Sequence, residues 1–173
     1  MKIQLLIVFL FAFNLAFIWL SARFNWLKWY GSVGSVLFAL LPLIGVAFRQ
    51  PKFDLDHFWW QVAGSIAMGL GVAVIIWAKM VFKATSLLLG DASNKLITAG
   101  PYQFIRHPMY LGLVFIYVGW WWVWATVYSF YFGMIILFML WLQAWLEEKL
   151  ALEKTFGSDY LQYKKHTGMF WIK

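Results

Sequence analysis

Two groups of polar residues in this chain have types and spacings that could do chemistry. The first is the run 94–112, which holds Tyr102, Arg106, His107, Pro108 and Tyr110; the second is Glu147-Glu148, followed by Phe156-Gly157 and Tyr160. Carboxylates, a guanidinium, an imidazole and phenols can grip a charged ligand or move a proton. Gly100-Pro101 reads as a turn. Pro108 suits a first helical position, where its missing N–H leaves nothing unpaired. It also biases His107 away from helical geometry, so the imidazole belongs to the helix entrance. Tyr110 rises on the same face one turn later. Gly112 lets a neighbour or ligand approach the backbone, and the N–H groups of the helix start offer a site for a carboxylate or phosphate.

The elements that must position these groups are apolar. The 173 residues are 64% hydrophobic and only 12% charged, against about 45–50% and about 25% in globular chains. That composition excludes a solvated enzyme domain, disorder and a nucleic-acid-binding tail. With no cysteine there is no disulfide, thiol nucleophile or thiolate metal site. Five segments approach the roughly 20 apolar residues a spanning helix needs: 3–20, 31–48, 58–82, 108–126, and 127 or 129 to 146. The expected fold is all-α, a polytopic membrane protein of about five transmembrane helices with a cytoplasmic amphipathic C-terminal segment. It forms one membrane domain over 1–173, with a three-helix part at 1–82 and the site-bearing part at 83–173. The first segment is longer than a signal-peptide core of about 7–15 residues and reads as a retained helix.

Basic residues set the orientation. Arg23, Lys28, Lys79, Lys83, Lys95, Arg106 and the lysines from Lys149 to Lys173 fall on one side, against Lys2, Arg49 and Lys52 on the other. The positive-inside rule then places the N-terminus outside and the C-terminus in the cytoplasm. Two small-residue stripes, Gly31, Ser35, Ala39 and Ser65, Gly69, Ala73, are candidates for close helix packing. Trp120-Trp121-Trp122-Val123-Trp124 reads as an aromatic belt at the outer face, and Asn14 and Gln61 as interhelical hydrogen-bond formers. His57 and His166 lack the partners of a metal site, and no metal is expected.

Antiparallel helices of roughly 20 residues rise about 30 Å and return as far. The point midway in sequence between His107 and Glu148 falls in the 125–128 turn. The hairpin therefore returns Arg106, His107, Tyr102, Tyr110, Glu147 and Glu148 to one rim, where they form a polar, aromatic pocket beside lipid. The residues alone leave a second reading open: a structural Arg106–glutamate bridge, belt tyrosines and a capping His107.

At these positions the chain resembles the isoprenylcysteine carboxyl methyltransferase family, integral membrane enzymes of the wider phospholipid methyltransferase group. The likeness covers 94–173 and rests on G-P-Y-Q-F-I-R-H-P-M-Y-L-G at 100–112, E-E-K-L at 147–150 and F-G-S-D-Y-L-Q-Y at 156–163. It implies S-adenosylmethionine as cofactor and methyl transfer to a lipophilic acceptor at the membrane interface, with membrane lipids as surroundings and no nucleic-acid partner. Carried over residue by residue, it implies cofactor contacts at Asn94, Lys95, Leu96, Ile97, Tyr102, His107, Pro108, Met109, Tyr110 and Glu148. Arg106, Glu147 and Glu148 are the expected catalytic groups. Aromatic rings can hold a sulfonium by cation–π attraction. Where the family's prenylcysteine enzymes carry a substrate-binding arginine, this chain has Ala144, which points to an amine, thiol or other lipid headgroup as acceptor. The alternatives are an NADPH-dependent enzyme like the sterol reductases and a non-enzymatic membrane scaffold.

Overall fold

From His57 onward the chain has no proline until Pro101, and its apolar run forms one long helix, α1 (His57–Leu89, 33 residues). The computed structural model describes residues 51–54, 57–89 and 95–173, together with Phe13 and Ala16. The remainder of the first two expected spans, with Asn14 and the stripe Gly31, Ser35, Ala39, lies outside the described residues, as does Asn94. After α1 come a 3-10 turn (Gly100–Gln103), α2 (Pro108–Trp124), α3 (Val127–Glu147), a π-helical turn (Glu148–Leu152) and α4 (Glu153–His166).

Within α1, the stretch Phe58–Ala84 is long and apolar enough to cross a membrane, and only 11% of its most apolar window is buried. A core helix of a soluble protein would be covered; this one presents its side chains outward, as a lipid-facing helix does. α2 is apolar but shorter, and α3 matches the fifth expected segment to within a residue or two. The five-helix count itself is outside what the described residues address.

Close packing of α1 on α2 comes from glycines. A Cβ on Gly64 would stand 2.5 Å from the Gly119 carbonyl oxygen, and one on Gly71 would stand 2.5 Å from that of Gly112. Gly64, Gly71 and Ala78, at heptad intervals, are buried, whereas Ser65, Gly69 and Ala73 are exposed. The expected stripe in this helix is thus corrected. It lies on the outward face, and a Cβ on Gly69 would meet nothing. The chosen face is the one where glycines on both helices meet in register, because only there can the backbones touch. Gln61 is exposed too, so it does not serve as the expected interhelical glue.

The α2–α3 turn departs from the expected helix end at 126. α2 stops at Trp124 because Ala125 adopts a left-handed conformation (φ 47°), its N–H donating to Trp121 O at 2.7 Å. Residues 51–53 run beside this turn: Phe53 N–H donates to Ala125 O (2.8 Å) and Val127 N–H to Pro51 O (3.0 Å). Tyr117 fills the space left by Gly133 and packs with Ile136, Met139 and Leu140 between α2 and α3. The tryptophan run is only partly a belt. Trp124 is exposed, while Trp121 is tucked against Phe53 and Phe130 and Trp122 against Trp60.

The C-terminal segment bends at Gly157 (φ 54°, ψ −123°). No heavy atom lies near its missing Cβ, so only backbone strain would oppose a side chain there. Gly157→Ala is expected to cost about 1–2 kcal/mol. Thermal unfolding in detergent should register that as a lower Tm; an unchanged Tm would show that the bend does not need glycine.

Candidate functional site

The bend at Gly157 and the π turn bring α4 back across the ends of α2 and α3. In the π turn the Glu153 N–H donates to Glu148 O, one residue beyond the α-helical partner, a local widening often found at functional sites. It follows directly on the expected carboxylate pair.

His107 is the residue before α2 and is non-helical (φ −121°, ψ 63°), with Pro108 following as expected and no side-chain cap. Its imidazole is free to point at α3, and Nε2 lies 3.2 Å from Glu148 Oε1. Arg106 Nε donates to the same oxygen at 2.7 Å. Lys164 Nζ of α4 stands 2.8 Å from Oε2. Glu148 is fully buried, and Tyr160, equally hidden, covers it. Burial pushes its carboxyl up, but the hydrogen bonds from His107, Arg106 and Lys164 outweigh that and hold it well below the usual carboxylate range.

The second glutamate is held separately. Tyr110 OH donates to Glu147 Oε2 (2.9 Å) and accepts from Gln143 Nε2 (3.0 Å). The His107 and Tyr110 rings stack, with centroids 5.4 Å apart. Tyr102 sits in the 3-10 turn with its hydroxyl buried and, among the described residues, without a hydrogen-bond partner. Burial, with the Glu147 charge adding to it, pushes this phenol up to about 12. A neutral, orphaned hydroxyl of this kind is a donor awaiting an acceptor.

Two amides just ahead of α2 are taken by the chain end. Arg106 N–H donates to Gly168 O (2.9 Å) and His107 N–H to Met169 O (3.2 Å). The tail after α4 therefore runs as a short parallel strap along 105–107, and the Phe170 ring lies 6.1 Å from that of His107. The Arg106 guanidinium also donates to Thr167 O and to Lys164 O. Its Nε and Nη1 donors are thus spent on the protein itself.

Open space lies beside this cluster. A cavity of about 380 Å³ has Leu96, Thr98 and Gln103 on one wall and Asp159, Gln162, Tyr163 and His166 of α4 on the other. Tyr163 OH donates to Tyr102 O and so joins the two walls. Of the residues expected to contact a cofactor, Leu96 lines this cavity; Tyr102, His107, Pro108 and Tyr110 lie around the carboxylates, and Met109 is exposed.

Comparison with known proteins adds a family. A family model described as phospholipid methyltransferase matches residues 59–159, more than half of the chain. The chain belongs to the phospholipid methyltransferase family. A curated relative, the mouse protein-S-isoprenylcysteine O-methyltransferase, is 25% identical over 140 residues, which cover 70% of this chain and 48% of the relative. The chain thus spans about half the length of that relative. No solved structure matches it.

Within this phospholipid methyltransferase chain, Arg106, His107 and Glu148 are brought into contact, and Glu147 joins Tyr110. Lys95 and Ile97 do not line the cavity beside Leu96. Ala144 is fully buried in α3, so the one place where a substrate-binding cation was expected holds a methyl group. Sequence reasoning placed Tyr163 over the pocket, but it missed the contact of Lys164 with Glu148 and the strap at 167–170. The F-G-x-x-Y run carried their signal, but only the bend at Gly157 directs them inward. Among the described residues no group of His, Asp and Glu could hold a metal ion.

Proposed function

We propose that this protein is an S-adenosylmethionine-dependent methyltransferase acting on a lipophilic acceptor at the cytoplasmic face of a membrane. The observation that carries the reading is the convergence of Arg106 and His107 on the buried Glu148 in a chain of this family. The site and the lysines of α4 and the tail gather at one end of the helices, and Lys52 pairs beside Thr126 at the other. That asymmetry supports a cytoplasmic site in a multi-pass membrane domain with a three-helix N-terminal part.

The residues present fit the cofactor. A cavity of about 380 Å³ falls within the roughly 300–1,000 Å³ of small-molecule sites, and Tyr163 on its wall is bonded to the backbone of Tyr102, whose buried hydroxyl has no partner among the described residues. Asn94, Lys95, Leu96, Ile97, Tyr102, His107, Pro108, Met109, Tyr110 and Glu148 are the residues proposed to hold it. When bound, the cofactor supplies an electrophilic methyl group on a sulfonium. Glu147, held by Tyr110 and without a cation within salt-bridge distance among the described residues, provides negative charge for a cationic centre and a base for an acceptor proton. Arg106 and Glu148 fix the floor of the site, and the tyrosine and phenylalanine rings keep water out, so that proximity and desolvation do most of the work. Ala144 favours an acceptor other than a prenylcysteine carboxylate.

Calorimetric titration of the detergent-solubilised chain tests this reading. Saturable binding of S-adenosylmethionine and none of NADPH is the expected result. The reverse pattern would instead support the reductase alternative, and binding of neither would support the scaffold. Methyl-labelled cofactor incubated with native membranes should then mark a lipid-soluble product.

A further inference from the structure

We propose that Lys164 is a positioning residue for Glu148, through which docking of the C-terminal helix sets the affinity of the site for its cofactor. This rests on the methyltransferase reading above. Glu148 has two oxygens and they are served from different parts of the chain. Oε1 takes Arg106 and His107 from the α2 entrance, and Oε2 takes Lys164 from α4. Oε2 accepts no well-aligned hydrogen bond among the described residues, so Lys164, 2.8 Å away, holds it by charge.

Lys164 also reaches outward. Its Nζ lies 3.1 Å from Glu153 Oε1, and Glu153 Oε2 in turn accepts from Lys149 at 3.0 Å. Its backbone carbonyl accepts from Arg106 at 3.4 Å. A line of alternating charge therefore runs from Arg106 through Glu148, Lys164 and Glu153 to Lys149 at the surface. The groups facing Glu148 are Arg106 and His107 from α2, and Lys164 and Tyr160 from α4; Glu147 of α3 is turned to Tyr110. Burial lowers the Lys164 ammonium and its two carboxylate partners outweigh that, so it stays charged where it is needed.

The test uses the full chain in detergent, with Lys164→Met, Lys164→Gln and Lys164→Arg beside wild type. S-adenosylmethionine affinity is read by calorimetry, and the Glu148 carboxyl is followed by carbon NMR through an acid titration. Loss of a charge-assisted partner in Lys164→Met should weaken cofactor binding about tenfold and raise the pH at which Glu148 titrates. Lys164→Arg should restore both. Wild-type affinity and an unmoved Glu148 titration in Lys164→Met would overturn the proposal. So would failure of Lys164→Met and Lys164→Gln to fold while Lys164→Arg folds, since the lysine would then be structural. If wild type itself does not bind S-adenosylmethionine, the methyltransferase reading falls, and the NMR titration still decides whether Lys164 positions Glu148.

Discussion

Glu148→Gln should abolish cofactor binding and methyl transfer and lower stability by about 3–5 kcal/mol, the range for breaking one side of a buried ion pair. The substitution keeps the shape and removes the charge. Arg106, whose side chain is almost fully buried, then has no counter-ion, and the carboxamide must offer an N–H where a cation already donates. Lys164 is partly exposed and retains Glu153, so the loss falls mainly on Arg106. Thermal unfolding and labelled-methyl incorporation measure the two effects. A double variant, Arg106→Leu with Glu148→Leu, separates them: replacing a buried pair by apolar side chains is often neutral for stability, so it should recover Tm and remain inactive. Glu148→Gln with wild-type Tm and activity would show that the charge does nothing. The pH dependence has a definite sign. Because the folded carboxyl lies below its unfolded value of about 4.3, its contribution is complete above that pH and is lost only as acid approaches the folded value.

The meeting of His107 with Glu148 was legible because helix rise is fixed. Two helices joined by a tight turn return to one level whatever their side chains, and Pro108 marks where the outbound helix begins. Membership of the family was legible for a similar reason, since R-H-P-x-Y and E-E-K-L sit at the facing ends of those two elements. Lys164 and the strap at 167–170 were not, because their position depends on two backbone irregularities in succession. The π turn at Glu148–Leu152 shifts the helical phase, and Gly157 redirects the chain. Neither alters the apolar pattern that sequence reading follows. The capture of the Arg106 and His107 amides, just ahead of α2, was hidden on the same point, since the returning tail supplies the carbonyls of Gly168 and Met169. Which face of α1 packs was also hidden. The helix is apolar nearly all round, so its sequence offers several small-residue stripes, and only the register of Gly112 and Gly119 on α2 selects Gly64 and Gly71.

That register makes Gly119→Val the strongest test of the helix pair. A Cβ on Gly119 would run into the Gly64 carbonyl oxygen and the Met68 backbone nitrogen, 2.8 Å away. These are backbone atoms of a regular helix, which cannot turn aside as a flexible side chain can, so α1 and α2 must separate along their length. Overpacking of a tight contact costs about 1–3 kcal/mol, and valine, with two further methyl carbons, should sit at the top of that range. A Cβ on Gly69, two residues from Gly71 on the outward face, would meet no atom, and valine is no poorer a helix former than glycine, so Gly69→Val should change stability by well under about 1 kcal/mol. The expected result in detergent is therefore a Tm for Gly69→Val close to that of wild type and one for Gly119→Val far below both. The functional consequence follows from the chain path: α2 begins at Pro108, so a shift of α2 off α1 moves Arg106 and His107 relative to Glu148 at the end of α3. Gly119→Val should weaken S-adenosylmethionine binding although the substitution lies about three turns from the site. Equal Tm for the two valine variants would place the contact face of α1 elsewhere and remove the glycine seam as the element that seats α2.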